Sequence, residues 1–511
     1  MVQSKDGFTW RPSTGVVPGL ETDAVVIPQE RTKASPDKVY DAIVIGAGYA
    51  GLAAARDLID FGHNVLLLEA RDRIGGRTYT AKSDGYLYEM GGTWVTHHMG
   101  YLHREMVRYK MDRDLITTGS EDKTTKGYYT INVPGATPRK LSHEEAGSMQ
   151  AKAWDMFVDV DGQAGRTLCP LPHSMLDNPI VSRAVVERWD ALSCHDRLEQ
   201  IKHRLTAEEY GLLASLLVHI SGGDLRNSGL WDMIRSHALL MHSSDNFTDV
   251  WLRYKLRDGQ TELAKRMFDD ARNNGLEWRF SAPVLSVKQA AADAGNVRVT
   301  VSAEGSKEET SFVARKVIST IPLNVLRTVS FSPPLSPRRR EAIESEHVNQ
   351  MTKIHADVVD NDGSLARWNG CRMPGDLLYG YGDGTLPNGG THVVAFGADQ
   401  RVSGFVPEKE PERAVAALNG LHPMDVKKLV VHDWSTDPYS RGGPAWWRPG
   451  YMTTYQDELQ SRHGNVFFAS ADWAHGWRAA IDGALEQGTL NARTASQEVK
   501  AAAGRTGRSR L

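Results

Sequence analysis

The chain has 511 residues, 41% of them apolar and 24% charged, and its 60 basic and 63 acidic side chains leave a net charge of −3. That is the make-up of an ordinary soluble protein of several domain-sized units, and no one-signed field marks nucleic acid or a membrane surface as a partner. Cys169, Cys194 and Cys371 form no CxxC pair, which excludes a disulfide framework and a Cys-rich zinc site, and no run reaches the roughly 18 apolar residues of a transmembrane helix.

Residues 1–39, with prolines at 12, 18, 28 and 36, read as an extended leader lacking the apolar core of a secretory signal. "AIVIG" follows, a β-branched run suited to a buried parallel strand. Leu52, Ala55, Leu58 and Ile59 then recur at helical spacing, and "NVLLLE" is a second buried strand. Between that first strand and the helix, Gly46, Gly48 and Gly51 form G-x-G-x-x-G. Gly46 suits the tight turn, Gly48 the close approach of backbone to a diphosphate, and Gly51 the packing of helix on strand. The helix start offers unpaired N–H groups to the diphosphate. Glu69 closes the second strand, roughly 20 residues on, where an acid accepts hydrogen bonds from a ribose hydroxyl. Strand, helix, strand and acid together predict a bound dinucleotide.

The chain continues without a break through "EARDRIGGRT" to "GYLYEMGGTWV", adding two further Gly pairs and Arg77. From about 142 to 272 the pattern turns mostly helical; strand-like runs return at "VRVTVSAEG" and "ARKVISTIP", and "NVFFAS" leads into a last helix beginning near Ile481. This alternation predicts an α/β chain: a Rossmann-like dinucleotide domain interrupted by an inserted α+β substrate domain. The expected boundaries are 40–115, 276–345 and 433–500 for the nucleotide domain, 116–275 and 346–432 for the substrate domain, and 501–511 for a tail. The last three residues, Ser509-Arg510-Leu511, resemble a peroxisomal address; otherwise a cytoplasmic setting is expected.

From the Gly motif through "DGQTELAKRMF", "VISTIPLNVL", "MTKIHADV" and "WWRPGYM" to "FASADWAHGWRAAIDGALEQG", the chain closely resembles the flavin-dependent monoamine oxidase family, in particular fungal members that hold FAD noncovalently. The resemblance implies that Gly46, Gly48, Gly51, Glu69, Ala70, Arg71, Gly76 and Arg77 hold the adenosine, diphosphate and ribityl portions of FAD. It implies that Gly92 and Thr93 lie near the flavin ring, that Val284 holds the adenine end through its backbone, and that Ile481 caps the flavin at the start of the last helix. Asp472 stands where the family usually has Glu. Lys353 matches a family lysine that holds a water at the flavin, and Trp477 a tryptophan beside it; these two are the expected catalytic residues. The family's covalent members attach flavin through a Cys in an "SGGC" stretch, whereas this chain reads "SRGGPAWWRPG", so FAD is expected to be noncovalent.

One departure bears on the substrate. Amine-oxidising members face the flavin with two aromatic side chains, and those positions here are Pro444 and Ala480. A small shift in register would bring Trp446 into the first position; the second has no such substitute. A bulkier substrate fills the space, or Trp94 or Trp477 supplies the wall, or the aromatic pair is dispensable; the sequence leaves these open. The resemblance implies an oxidase that passes a hydride from the carbon next to an amine nitrogen to flavin N5, yielding an imine and, with O2, hydrogen peroxide. The alternative is a specialised flavin oxidase, desaturase or cyclase for a bulky nitrogen-containing metabolite. A small-molecule amine is the expected partner, without nucleic acid or a membrane span and with no metal; a homodimer is implied by the resemblance alone.

Overall fold

The computed structural model describes residues 2–30, 32–119, 127–172, 181–289, 295–302 and 308–508; Ser509-Arg510-Leu511 lie outside the described residues. Two large sheets organise the chain. The first is built on the strand Val39–Ile45, which pairs in parallel with Val65–Leu68 on one side and with Glu309–Ser319 on the other. Val65–Leu68 is buried along its whole length, because helices and loops cover both faces of a parallel sheet. The helix Tyr49–Asp60 crosses between these strands and packs its alanines, Ala53, Ala54 and Ala55, into the same core. Small residues let it lie close to the strands. Thr32–Lys33, Glu277–Arg279, Val284–Gln289, Val297–Ser302, Ser330–Ser332 and Val466–Phe468 complete the sheet, and the last helix, Ile481–Arg508, lies along Tyr49–Asp60. That helix runs well into the 501–511 stretch read as a tail. The architecture is an α/β dinucleotide-binding fold carrying a second, mixed α+β region.

The second sheet has nine strands, mostly antiparallel, centred on Met351–Val359, Thr391–Asp399 and Leu377–Thr385. The helices His143–Val158 and Ala207–Ser221 pack beside it. Two segments sit differently from the sequence reading. The leader is no loose extension: Phe8–Arg11 pairs with Asp425–Val431 in the second sheet, while Thr32–Lys33 pairs with Glu277–Arg279 in the first. Phe8 and Trp10 are buried and Thr9 and Arg11 half-buried, the period-2 pattern of a strand with one face inward. The helix Gln260–Asn273, read as part of the substrate domain, packs Leu263, Met267 and Phe268 into the nucleotide-domain core. No described helix is long and apolar enough to cross a membrane.

Candidate active site

The strand Val39–Ile45 ends directly on the glycine turn. Gly46 has φ of +105°, a conformation closed to most side chains, and a Cβ on Gly51 would lie 1.8 Å from the Gly46 carbonyl oxygen. Turn and helix can therefore meet only if both are glycine. Gly48 caps the helix Tyr49–Asp60 without a side-chain partner, so the first N–H groups of the helix face open space. Gly76, at φ +60°, brings the second glycine loop against it: a Cβ there would be 3.0 Å from the Gly48 Cα. Two bare backbone loops meet here, which suits a diphosphate approached from both sides.

Glu69 joins the two loops. Its Oε2 accepts from Ala47 N at 2.6 Å and its Oε1 from Arg71 N at 2.8 Å. Burial raises its pKa in spite of these two backbone donors. Arg71 is buried between Asp6 and Asp437, at 3.0 and 2.6 Å. Arg77 donates to Asp472 at 2.6 Å and to the Gly443 carbonyl at 3.0 Å. Asp472 is wholly buried; desolvation would raise its pKa, but the Arg77 guanidinium carries it below the usual carboxylate range, with a bond from Leu323 N to its other oxygen at 2.8 Å. The aspartate thus anchors Arg77, and with it the second loop, despite its shorter stem.

Gly92 lies against Ile481, where a Cβ would stand 3.5 Å from the isoleucine side chain. Lys353, on the strand Met351–Val359, reaches this loop from the substrate sheet. Its Nζ donates to Glu89 O at 2.6 Å, Gly91 O at 3.1 Å and Thr93 Oγ1 at 2.9 Å. An ammonium has no further donors, so any water held by this lysine would share one of those three. Desolvation lowers the Lys353 pKa to about 8, against the raising effect of Glu89, and burial lifts Glu89 to about 7.

One cavity of about 420 Å³ joins these features. Gly46, Gly48, Glu69, Ala70, Arg71, Gly76, Arg77 and Val284 line one end, Gly92, Thr93, Lys353 and Ile481 the middle, and Trp94, Pro444, Trp446, Trp477 and Ala480 the other. Gly51 and Asp472 stand behind the wall, supporting Gly46 and Arg77. Trp94 is held by a bond from Nε1 to Thr118 Oγ1 at 2.9 Å and Trp477 by one to the His98 carbonyl at 3.2 Å. None of the three cysteines lines the cavity. Among the wall residues that sequence reasoning missed are His219, Arg235, Phe247, Trp251 and Arg478. Desolvation drops His219 to a pKa of about 4, so it is a neutral imidazole, stacked on Tyr379. For Arg478 a weak signal existed, since it stands two residues before Ala480; Arg235, on a helix that also carries Asp232, Ser236 and His237, had none.

The model of the flavin containing amine oxidoreductase family matches residues 49–496. The chain belongs to that family. Pseudooxynicotine dehydrogenase of a Pseudomonas species is 30% identical over 449 residues, covering 88% of this chain and 84% of the relative. The bovine flavin-containing amine oxidase A is 26% identical, covering 89% and 85%. Among solved structures, putrescine oxidase bound to putrescine superposes with a TM-score of 0.70 at 20% identity, over 89% of this chain and 99% of that one. Cyclohexylamine oxidase from Brevibacterium oxydans does so at 0.71 and 18%, over 91% and 100%. As a family member the protein is a flavin-dependent oxidoreductase acting on small-molecule amines. Its residues fit FAD: bare glycine loops for the diphosphate, an acid at the strand end for the ribose, and a cleft reaching past Gly92 for the ring system.

Proposed function

We propose that this protein is an FAD-dependent amine oxidase whose substrate carries a bulky body. The observation that supports this reading is the single cavity running from Glu69 and Val284, past Lys353 and Gly92, to a chamber walled by Trp446, Phe247 and Trp251. The glycine loops, Glu69, Arg71 and Arg77 would hold FAD there, and the bound cofactor would supply two-electron oxidation of the amine's C–N bond to an imine, with O2 as the final acceptor reduced to hydrogen peroxide. The chain's own residues hold the amine and keep the site dry. Apolar and aromatic walls exclude water and favour the neutral amine, the form with a free lone pair. Lys353 fixes the loop carrying Gly91 and Thr93 to the substrate sheet, so that chamber and cofactor cleft keep one register.

Pro444 and Ala480 both line the chamber, and neither fills the volume an aromatic ring would. That favours a substrate wider than a simple alkyl or benzyl amine. No cysteine reaches the cavity, which supports noncovalent FAD. The test is anaerobic bleaching of the flavin band by amines graded from benzylamine to polycyclic secondary amines, followed by air and a peroxide assay. Bleaching by the larger amines, with peroxide on reoxidation, is expected. A flavin that dithionite reduces but no amine does would overturn the reading.

A further inference from the structure

The chamber beyond the flavin cleft is mostly apolar, with His219 a neutral imidazole, and its charge is gathered at one place. Arg235, on the helix Leu230–Leu239, and Arg478, just before the last helix, both line it, and each is only 4% exposed. One carboxylate serves both. Asp232 Oδ1 accepts from Arg478 Nη2 and lies 3.5 Å from Arg235 Nε, while Oδ2 is taken by Trp447 N at 2.7 Å. Arg235 also donates through Nη1 to the Gly476 carbonyl at 2.7 Å. The Arg478 guanidinium lies 3.5 Å over the Trp447 ring, and its buried Nε has no acceptor among the described residues. Desolvation lowers the pair to about 10 and about 9, so both stay cationic at neutral pH.

Other acids near the pair are committed elsewhere. Glu486 accepts from His475 N and Gly476 N at 2.7 and 3.0 Å, and Asp190 from Thr453 N and Oγ1 at 2.9 and 2.7 Å; neither lines the cavity. The one lining acid among the described residues is Glu69, at the opposite end, with both oxygens on backbone. A diamine's second ammonium would therefore meet two guanidiniums with no free carboxylate. Buried guanidiniums with unused donors suit the reverse charge.

We infer that Arg235 and Arg478 form a subsite for a carboxylate, so that the substrate is an amino acid in the broad sense: an oxidisable amine at one end of an apolar body and a carboxylate at the other. This rests on the amine oxidase reading, and the experiment separates the two. Holoenzyme is reduced anaerobically with matched pairs, benzylamine against 4-(aminomethyl)benzoate and hexylamine against 6-aminohexanoate. Separately, benzoate and phenylacetate, which carry no amine, are titrated against the flavin spectrum. The wild type is expected to favour the carboxylated partner in kcat/KM by roughly 30-fold or more, with a saturable flavin perturbation by the aromatic acids. In Arg235→Met the ratio within each pair should fall to near one and the perturbation weaken at least about 10-fold, with Arg235→Lys recovering part of both. The ratio cancels any general loss of activity, and a merely structural arginine would lower both members alike.

A wild-type ratio at or below one, without a benzoate perturbation, overturns the subsite and leaves amine oxidation standing. Benzoate binding that depends on Arg235, with no amine bleaching the flavin, would sustain the subsite and overturn the oxidase reading.

Discussion

Glu69 is more than a ribose acceptor, because its two oxygens tie the N–H of Ala47 to that of Arg71 and so hold the two phosphate-facing loops at a fixed distance. Glu69→Gln keeps the shape but turns one acceptor into an NH2 that faces a backbone N–H. A buried donor left without an acceptor costs about 1–3 kcal/mol. The variant should therefore fold yet hold FAD about 10- to 100-fold more weakly, read from flavin fluorescence on serial dilution; unchanged retention would mean the loops do not need this tie. At the other end of the cavity, Ala480→Phe should refill one side of the chamber. Turnover of polycyclic amines should fall at least about 10-fold relative to benzylamine, since overpacking a defined pocket costs about 1–3 kcal/mol. An unchanged size preference would show that Ala480 does not border the substrate body.

At the scale of elements, the helix Gly100–Arg108 starts without a cap of its own: Met99 offers no side-chain acceptor. Asp482, in the first turn of the helix Ile481–Arg508, supplies one from outside by accepting from Leu102 N at 2.8 Å. Burial raises the Asp482 pKa from 3.8 to about 6, against the lowering effect of that backbone donor. A folded carboxyl with a raised pKa contributes stability that is full below pH 3.8 and is lost as pH rises through about 6. Asp482→Asn keeps the acceptor and removes the titration. Its melting temperature relative to wild type should climb between about pH 4 and pH 6 and level off above, by the equivalent of up to about 3 kcal/mol; a flat difference across that window would refute the assignment. This cap in trans was illegible in the sequence, since the two helices lie far apart in the chain and nothing local marks the pair. The glycine turn was legible because each glycine answers a local demand of the backbone. The strand Phe8–Arg11 carried its signal in the alternation of Phe8 and Trp10 with Thr9 and Arg11, but four residues among prolines make a weak pattern. The helix Gln260–Asn273 was plain as a helix; its place in the nucleotide core depends on tertiary contacts such as Tyr49 Oη donating to Gln260 O at 2.7 Å. The pairing of Arg235 with Arg478 was likewise hidden, because their shared partner Asp232 lies one helical turn before Arg235 and far along the chain from Arg478.

Over the whole molecule, the N-terminal segment straps the two sheets together, and its Asp6 is the buckle. That carboxylate holds Arg71 at 3.0 Å and Arg73 at 2.7 Å, while Asp437 holds Arg71 from the other side and accepts from His432 at 2.7 Å. Asp6, His432 and Asp437 stand close enough to surround a cation, but the two guanidiniums already neutralise the acids and exclude one. Arg71 lines the cofactor end of the cavity and Arg73 donates to the carbonyl of Gly76 at 2.8 Å, so the strap reaches the flavin site through these two arginines. Desolvation would raise the Asp6 pKa, yet Arg73 and Arg71 carry it below 3.8, and Asp437 is lowered by Arg71 and His432 against the same opposing burial. Lowered carboxylates stabilise above the unfolded pKa and lose that contribution as pH falls through their folded values. Removing one partner of such a buried network costs about 3–5 kcal/mol. Asp6→Asn should accordingly lower the melting temperature and speed FAD release, by an amount constant from about pH 5 to pH 8 and shrinking only below about pH 4. Thermal melts followed by both flavin fluorescence and circular dichroism would check this. A difference that collapsed near pH 6 instead would place the coupling in His432 rather than in Asp6. Equal FAD release in variant and wild type would mean that the strap secures the substrate sheet without reaching the cofactor.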